Sequence, residues 1–167
     1  MKAIRIDART IVLFDGEVEV SRLTFRNRFS SKAEITDAEK QMLSIEPANI
    51  WRTVYDVKKG EKTILSFHRK WNGNSLVKTF FDTNNQEYTF KHQGFFKSKY
   101  LLLDKDLREM IEVTPELNWR KLRYNFNLVV SDSMKRRPGH QLLVILTVYL
   151  CKEFISRQAS HGAIAAS

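Results

Sequence analysis

An apolar segment near the C-terminus limits how this chain can fold. It runs from His140 to Arg157 and reads HQLLVILTVYLCKEFISR. Between Leu142 and Cys151 the only polar groups are Thr147 and the hydroxyl of Tyr149, so no face of the segment suits water in any secondary structure. Burying such side chains is worth roughly 1.5–3 kcal/mol each. We therefore expect the rest of the chain to enclose this segment.

Periodicity alone does not decide whether the segment is a helix or a strand, because both are apolar throughout when fully buried. The residues in it that favour strands are Val144, Ile145, Thr147, Val148 and Tyr149. Its length is ordinary for a helix and long for a strand. Phe154 and Ile155 also continue the apolar side at helical spacing. We predict a core helix over about 140–157, whose apolar part is shorter than the ~20 residues that cross a bilayer.

Composition is typical of a single globular domain. The 167 residues are 43% hydrophobic and 28% charged. We predict one domain over 1–158 and a flexible tail over 159–167, where the residues are small and weakly apolar. The N-terminal stretch MKAIRIDARTIVLFDG scatters charges among its apolar residues and lacks the continuous apolar core of a signal peptide. The predicted location is the cytoplasm.

Turn-forming residues recur at short intervals between segments rich in β-branched and aromatic residues, which indicates an antiparallel sandwich or barrel. A first hairpin is predicted around Asp15-Gly16, a pair suited to a tight type I′ turn. Further strands are predicted at Thr53–Lys58, Lys62–Trp71, Ser75–Asp82, Glu87–Lys91, Tyr100–Asp104, Met110–Thr114 and Tyr124–Ser131. Residues 26–47 are compatible with an edge strand over 28–36 and another strand over 40–46, or with a short helix after Thr36.

Residues 88–104 read YTFKHQGFFKSKYLLLD and residues 109–113 read EMIEV. They predict a strand, a Gly-Phe-Phe turn, a second strand ending in Asp104 and a third strand. This order, with one apolar helix closing the chain, resembles the tubby C-terminal fold. It is most similar to the LURP-one-related branch, with phospholipid scramblases as more distant relatives. The resemblance implies a mainly β fold, a closed antiparallel barrel of about 12 strands around a central hydrophobic C-terminal helix.

The physical properties of the segment agree with this resemblance. A helix with its side chains is ~10–12 Å across, and a barrel larger than eight strands needs filling beyond its own side chains. A helix that is apolar on all sides suits that position. It would occupy the space that a lipocalin-like carrier or an interior active site requires, so neither is expected.

The candidate chemical groups do not predict an enzyme. His68, His92, His140 and His161 lack the spacing of zinc ligands. Asp104 and Asp106 are followed by Leu107 and Arg108 where calcium would need more oxygen ligands, so a hairpin turn is the better interpretation. Cys151 lies in an apolar setting that raises the pKa of its thiol. With no phosphate loop or nucleophile elbow, we predict no catalytic residue, no metal and no cofactor.

The net charge of +9, from 28 basic and 19 acidic residues, favours anionic partners. Two clusters are candidates for anion binding: Lys135, Arg136 and Arg137 before the helix, and Arg120, Lys121 and Arg123 beside the last strand. The first cluster would adjoin the N–H groups at the start of the helix, which favour anions. A solvated charged rim without a ligand is the competing interpretation.

We predict a non-enzymatic binding or scaffold module whose basic surface recognises anionic phospholipid headgroups, peripherally at a membrane, or an acidic protein. Tubby proteins bind phosphoinositide headgroups and scramblases act at membranes with calcium, but no short motif of either lies in this chain, so no binding residue is assigned from the resemblance. One alternative is nucleic-acid binding, with Trp71, Trp119 and Tyr124 as stacking platforms; it ranks second because an RNA-binding signature is absent. Another is a structural or stress-related intracellular protein without a small ligand.

Overall fold

A computed structural model describes residues 1–27, 30–81, 85–94, 98–118 and 123–164, with side chains to Ala159. The strands in these ranges are β1 (Lys2–Arg5), β2 (Thr10–Asp15), β3 (Val18–Phe25), β4 (Ala33–Asp37), β5 (Met42–Pro47), β6 (Val54–Lys59), β7 (Lys62–Arg69), β8 (Ser75–Thr79), β9 (Gln86–Gln93), β10 (Lys99–Asp104), β11 (Glu109–Asn118) and β12 (Arg123–Val130). Two helices follow them in the described part of the chain, α1 (Asp132–Lys135) and α2 (His140–Ile164).

The strands of the described ranges form a closed antiparallel barrel, as predicted. Each strand pairs with its neighbours in sequence, and β1 closes the ring by pairing with β12, where Ala3 lies opposite Phe126. Closure leaves these strands without an unpaired edge. Side chains alternate between the interior and the surface, as in β8, where Val77 is buried and Lys78 is exposed.

Helix α2 lies inside this barrel. Every residue from Leu143 to Glu153 is buried, which covers all sides of three helical turns. Aromatic rings meet the helix from different sides: the Tyr149 ring lies 5.8 Å from that of Phe25 on β3, and the Phe154 ring lies 5.5 Å from that of Tyr100 on β10. The predicted central helix is therefore confirmed.

The two polar groups of the apolar run are both satisfied by hydrogen bonds. The hydroxyl of Thr147 donates to the carbonyl of Leu143 at 2.6 Å, within the helix. The hydroxyl of Tyr149 donates to the carbonyl of Ser31 at 2.7 Å, in the connection between β3 and β4. A buried hydroxyl without a partner would cost about 1–3 kcal/mol, so these bonds allow the run to be enclosed completely.

The helix begins at His140 and extends beyond the predicted end at Arg157, as far as Ile164. Residues 159–164 of the predicted flexible tail are therefore helical, and residues 165–167 lie outside the described ones. A helix can continue through its backbone hydrogen bonds after its apolar face has ended. The sequence prediction stopped too early because it followed the apolar pattern.

Residues 26–47 contain two strands, β4 and β5, and the alternative of a helix after Thr36 is wrong. The carboxylate of Asp37 accepts hydrogen bonds from the N–H groups of Glu39 and Gln41 and so forms a turn in place of a first helical turn. The prediction of an edge strand is also wrong, because β4 pairs with both β3 and β5. Residues 28 and 29 lie outside the described ones.

The antiparallel order places successive connections at opposite ends of the barrel. We call the end where α2 begins the start end; it carries the β2–β3, β4–β5, β6–β7, β8–β9 and β10–β11 connections. We call the opposite end, toward which α2 runs, the exit end. It carries the β1–β2, β3–β4, β5–β6, β7–β8, β9–β10 and β11–β12 connections. Residues far apart in sequence therefore share one end.

Gly139, directly before α2, yields a first testable prediction. Its φ is +67°, and a Cβ atom added there would lie 2.6 Å from the Phe81 ring. Replacing Gly139 with Ala should cost about 1–2 kcal/mol for the left-handed backbone and about 1–3 kcal/mol more for overpacking. Urea denaturation measures the loss in the free energy of unfolding.

Gly16 provides the matched control, because its φ is +60° and an added Cβ would have nothing within 4 Å. Gly16→Ala should therefore show the backbone cost alone. Equal losses in the two variants would contradict close packing of Phe81 against the start of the helix.

Candidate functional site

Three large apolar side chains at the exit end are almost fully exposed. Trp71 is 100% exposed, Ile50 94% and Trp51 84%. Ile50 and Trp51 lie in the connection before β6, and Trp71 lies in the connection after β7. β6 and β7 are neighbours at this end, where the N–H of Arg69 donates to the carbonyl of Thr53 at 2.7 Å. The three side chains therefore extend from adjoining connections.

The exit end is also basic. Its described connections contain one acidic residue, Asp7, and five basic residues: Arg9, Arg26, Lys32, Arg52 and Lys70. The start end is mixed. In its described connections, including 131–139, the acidic residues are Glu17, Glu39, Glu61, Asp106 and Asp132, and the basic residues are Lys40, Lys105, Arg108, Lys135, Arg136 and Arg137. Excess positive charge therefore gathers at the exit end.

A buried ionic cluster lies beneath these connections. Arg69 on β7 and Lys152 and Glu153 on α2 are each no more than 8% exposed. The carboxylate of Glu153 accepts from Lys152 Nζ at 2.8 Å and from Arg69 Nη2 at 3.3 Å. Two buried cations thus share one carboxylate. Burying unbalanced charge is costly. These three side chains together carry one excess positive charge, which makes the electrostatic potential beneath the surface of the exit end positive.

Aromatic rings and hydroxyls hold Arg69 in position. Its guanidinium lies 4.2 Å from the centroid of the Tyr55 ring and donates to the hydroxyls of Tyr55 at 3.1 Å and Tyr149 at 3.0 Å. Burial raises the pKa of Tyr149 despite the nearby Arg69 charge. The Tyr149 hydroxyl therefore stays protonated and donates a hydrogen bond to the carbonyl of Ser31. This network fixes α2 to β6, β7 and the β3–β4 connection near the exit end.

Two clefts flank the end of α2. The Trp71 cleft has a volume of about 310 Å³ and includes Lys70, Trp71 and Phe154 in its lining. The Trp51 cleft has a volume of about 660 Å³ and includes Trp51 and Arg52. Glu153 and Arg157 line both clefts, so each exposed tryptophan lies beside the helix end.

The comparisons with known proteins give no assignment for this site. No family model, curated protein or solved structure matches this chain. The resemblance to the tubby and LURP-one-related proteins stays a prediction. None of the helices in the described ranges has the length and hydropathy needed to cross a membrane.

The predicted cluster before the helix lies at the start end, and only part of it is open to a ligand. Arg137 Nη1 donates to the side-chain oxygen of Gln86 at 2.6 Å and to the Tyr88 hydroxyl at 2.9 Å. Lys135 is exposed and forms an ion pair with Asp132 at 3.1 Å. Arg136 is exposed. Arg137 thus connects the loop before α2 to β9.

The other predicted cluster does not join this one. Arg123 begins β12 at the exit end, where its guanidinium donates to the carbonyl of Ile6 at 3.3 Å. Arg120 and Lys121 lie outside the described residues. Arg123 and the cluster at 135–137 are at opposite ends of the barrel, so they do not share one anion site.

Asp104 forms a hairpin turn between β10 and β11, as predicted. Its carboxylate accepts from the N–H groups of Asp106 and Arg108 at 3.0 Å each and pairs with the Arg108 side chain at 3.2 Å. Burial opposes ionisation, but these N–H groups and the charges of Arg108 and Arg137 lower the pKa of Asp104. In the described ranges no group of three or more His, Cys, Asp or Glu side chains is placed to hold a metal ion.

Cys151 is fully buried within α2, as predicted, and burial raises the pKa of its thiol. The thiol therefore stays protonated and is a small hydrophobic group in the core.

Sequence reasoning identified Trp71 as a possible platform but missed Trp51, Arg52 and Arg157. The available signal was the sequence Ile50-Trp51-Arg52 between a turn-forming Asn49 and a strand, because large apolar residues in a short connection have no core-facing side. Their relation to Arg157 depends on the closure of the barrel.

Proposed function

We propose that this protein is a non-enzymatic module that binds anionic membrane surfaces through the exit end of its barrel. The observation that carries the proposal is the almost complete exposure of Ile50, Trp51 and Trp71 among basic connections. In this arrangement the three apolar side chains lie at the headgroup boundary and the axis of α2 points toward the membrane.

The apolar residues supply one part of the interaction. Exposed apolar side chains grouped at one end of a protein are typical of contact sites. Tryptophan is suited to the membrane interface, because its ring is apolar and its indole N–H can donate to a polar partner. Ile50 and Trp51 are adjacent in one connection, and Trp71 extends from the next connection around the barrel.

The basic residues supply the other part. A lysine or arginine near an anionic membrane contributes about 1 kcal/mol, and the attraction falls with salt because it is screened. The described connections of the exit end carry five such residues and one acidic residue. The start end is mixed in charge, so the protein should orient with its exit end on the membrane.

Nucleic acid is the second candidate, since Trp71 is fully exposed beside Lys70 and could stack on a base. The exposure of Ile50 supports a membrane over nucleic acid as the partner. An aliphatic side chain has no ring to stack on a base, but it is stabilised by transfer to an apolar medium.

The direct test is co-sedimentation with vesicles of graded anionic lipid content. Replacing Trp51 or Trp71 with Ala should weaken vesicle binding about tenfold each, equivalent to ~1.4 kcal/mol, because each variant loses an apolar group at the interface. Val129→Ala and Met42→Ala provide matched controls, since these side chains are exposed on the barrel away from the exit connections. Both controls should bind as the unaltered protein does.

Equal weakening in the tryptophan variants and the controls would contradict the proposed orientation. Single-stranded RNA serves as the competitor in the same experiment. If RNA binds through Trp71 and vesicles do not bind, the function of the exit end is nucleic-acid binding and the membrane proposal is wrong.

A further inference from the structure

The Trp51 cleft has the properties of an anion site. It lies between the β5–β6 connection and the end of α2, and its volume of about 660 Å³ exceeds what a single small ion needs. Its charged lining residues are Arg5, Arg52, Lys152, Arg157 and Glu153. Four cations and one carboxylate therefore line a concave site, in which the Arg5 guanidinium also donates to the carbonyls of Asp7 at 3.1 Å and Ala8 at 2.6 Å.

The balance of charge beneath the cleft is also positive. Glu153 is already shared by Lys152 and Arg69, both buried. The Lys152 ammonium has three donors; among the described contacts it donates to Glu153 and lies 4.0 Å from the centroid of the Phe25 ring. A buried cation that lacks a full counter-charge is expensive, so an anion in the cleft would lower the cost of this arrangement.

Arg157 also lies near these buried charges. Its partial enclosure and the nearby charge of Arg69 lower the pKa of its guanidinium. Arg157 is exposed and stays charged, since an arginine guanidinium is not deprotonated in proteins. An anion beside it would offset the repulsion from Arg69.

Arg52 is held at the cleft by a strained turn. Its φ is +51°, in the left-handed region that residues with a Cβ avoid. Its N–H donates to the carbonyl of Asn49 at 3.1 Å, and the Asn49 side chain accepts from the N–H groups of Thr53 and Val54. Strain of this kind is common at binding sites, where the surrounding structure imposes it.

We propose that the Trp51 cleft binds a doubly charged phosphate group of the kind carried by a phosphomonoester. Guanidinium groups match the oxygens of phosphate with paired hydrogen bonds, and two arginines that line the cleft, Arg52 and Arg157, are exposed. The third, Arg5, adds positive charge while its guanidinium donates to the backbone carbonyls of Asp7 and Ala8. In a cleft with more cations than carboxylates, a dianion gains more electrostatic interaction energy than a monoanion. The group can come from a lipid headgroup or from a soluble phosphorylated molecule. The lipid source rests on the proposed function, whereas the phosphate site itself does not.

The first experiment titrates the full chain with inorganic phosphate at constant ionic strength, with chloride as the replaced anion, and follows the indole N–H signals by NMR. The Trp51 signal should shift and saturate, and that of Trp71 should shift less, because Trp71 lines the other cleft. In the double variant Arg52→Gln, Arg157→Gln the phosphate affinity should fall at least about tenfold. Arg136→Gln removes an exposed arginine at the start end and should leave the affinity unchanged.

The second experiment compares vesicles containing phosphatidic acid, a phosphomonoester, with vesicles containing phosphatidylglycerol at the same total charge. Preference for phosphatidic acid that the double variant loses would assign the phosphate to a lipid. Equal binding to both vesicles, together with saturable binding of free phosphate, would assign it to a soluble molecule.

No saturable shift of Trp51, or an equal loss of affinity in Arg136→Gln, would overturn the phosphate site. The membrane proposal would then still be decided by the Trp51→Ala and Trp71→Ala variants, so the two failures are distinguishable.

Discussion

Replacing Glu153 with Gln should lower the free energy of unfolding by about 3–5 kcal/mol, the usual cost of removing one partner from a buried ion pair. The substitution keeps the shape of the side chain and removes its charge. Arg69 and Lys152 would then lie in the core near the exit end without the carboxylate that they share. The hydroxyls of Tyr55 and Tyr149 still accept from Arg69, but neutral acceptors do not balance two cations.

Urea denaturation measures this loss, with coincident transitions by fluorescence and circular dichroism as the check of two-state behaviour. Glu116→Gln is the matched control. Glu116 is an exposed partner of Lys2, with the two charged atoms 4.0 Å apart, and exposed pairs contribute only about 0–1 kcal/mol. If the two variants lost the same stability, the charges of the cluster would have to be well solvated.

Truncating the central helix should be costly on opposite sides of it. Leu143, Ile145 and Leu146 are each no more than 1% exposed. Leu143 and Leu146 lie on one side of α2, and Ile145 lies on the other. Each replacement with Ala should lower the free energy of unfolding by about 2–5 kcal/mol, because the deleted atoms leave a cavity in a packed core. A helix packed on one face only would lose little at one of these positions.

The comparison needs an exposed position of the same helix. Gln158 is exposed beyond the buried turns, and Gln158→Ala should change the free energy of unfolding by no more than about 0.5 kcal/mol. Urea denaturation of the four variants gives the result. A near-neutral effect at Leu143, Ile145 or Leu146 would show that the corresponding side of the helix is not enclosed.

The enclosure of α2 could be predicted from sequence because a run without a polar face has no stable position in water. The choice of a helix depended on length, since Val144, Ile145 and Val148 favour strands and periodicity does not separate the two states when all faces are buried. The end of the helix was predicted too early. The apolar pattern marks the buried turns only, and the helix continues to Ile164.

The strands after Thr53 were predictable from alternation and turn residues, because each has one buried and one exposed face. β4 was mistaken for an edge strand, whereas it pairs with β3 on one side and with β5 on the other. The five residues of β4 are too few for their sequence pattern to show that the strand has a partner on each side.

The candidate site shows the same limit. Lys135, Arg136 and Arg137 were predicted because they adjoin the start of the helix, yet Arg137 donates to Gln86 and Tyr88. At the exit end the cations come singly from separate segments, as with Arg5, Arg52 and Arg157 in the Trp51 cleft. Sequence spacing contains no sign of that assembly.

Three features could be predicted from the chain alone: a long apolar segment that must be enclosed, short strands that enclose it and a basic surface. They depend on the water affinity of each residue and on local periodicity. Which residues share an end of the barrel, and that Arg69 and Lys152 share Glu153, is known from the folded molecule only. Pairing around a closed ring brings together residues far apart in sequence, such as Ala3 and Phe126. The enclosed helix adds contacts such as that of Arg69 with Glu153, 84 positions away, and local patterns carry no information on such distances.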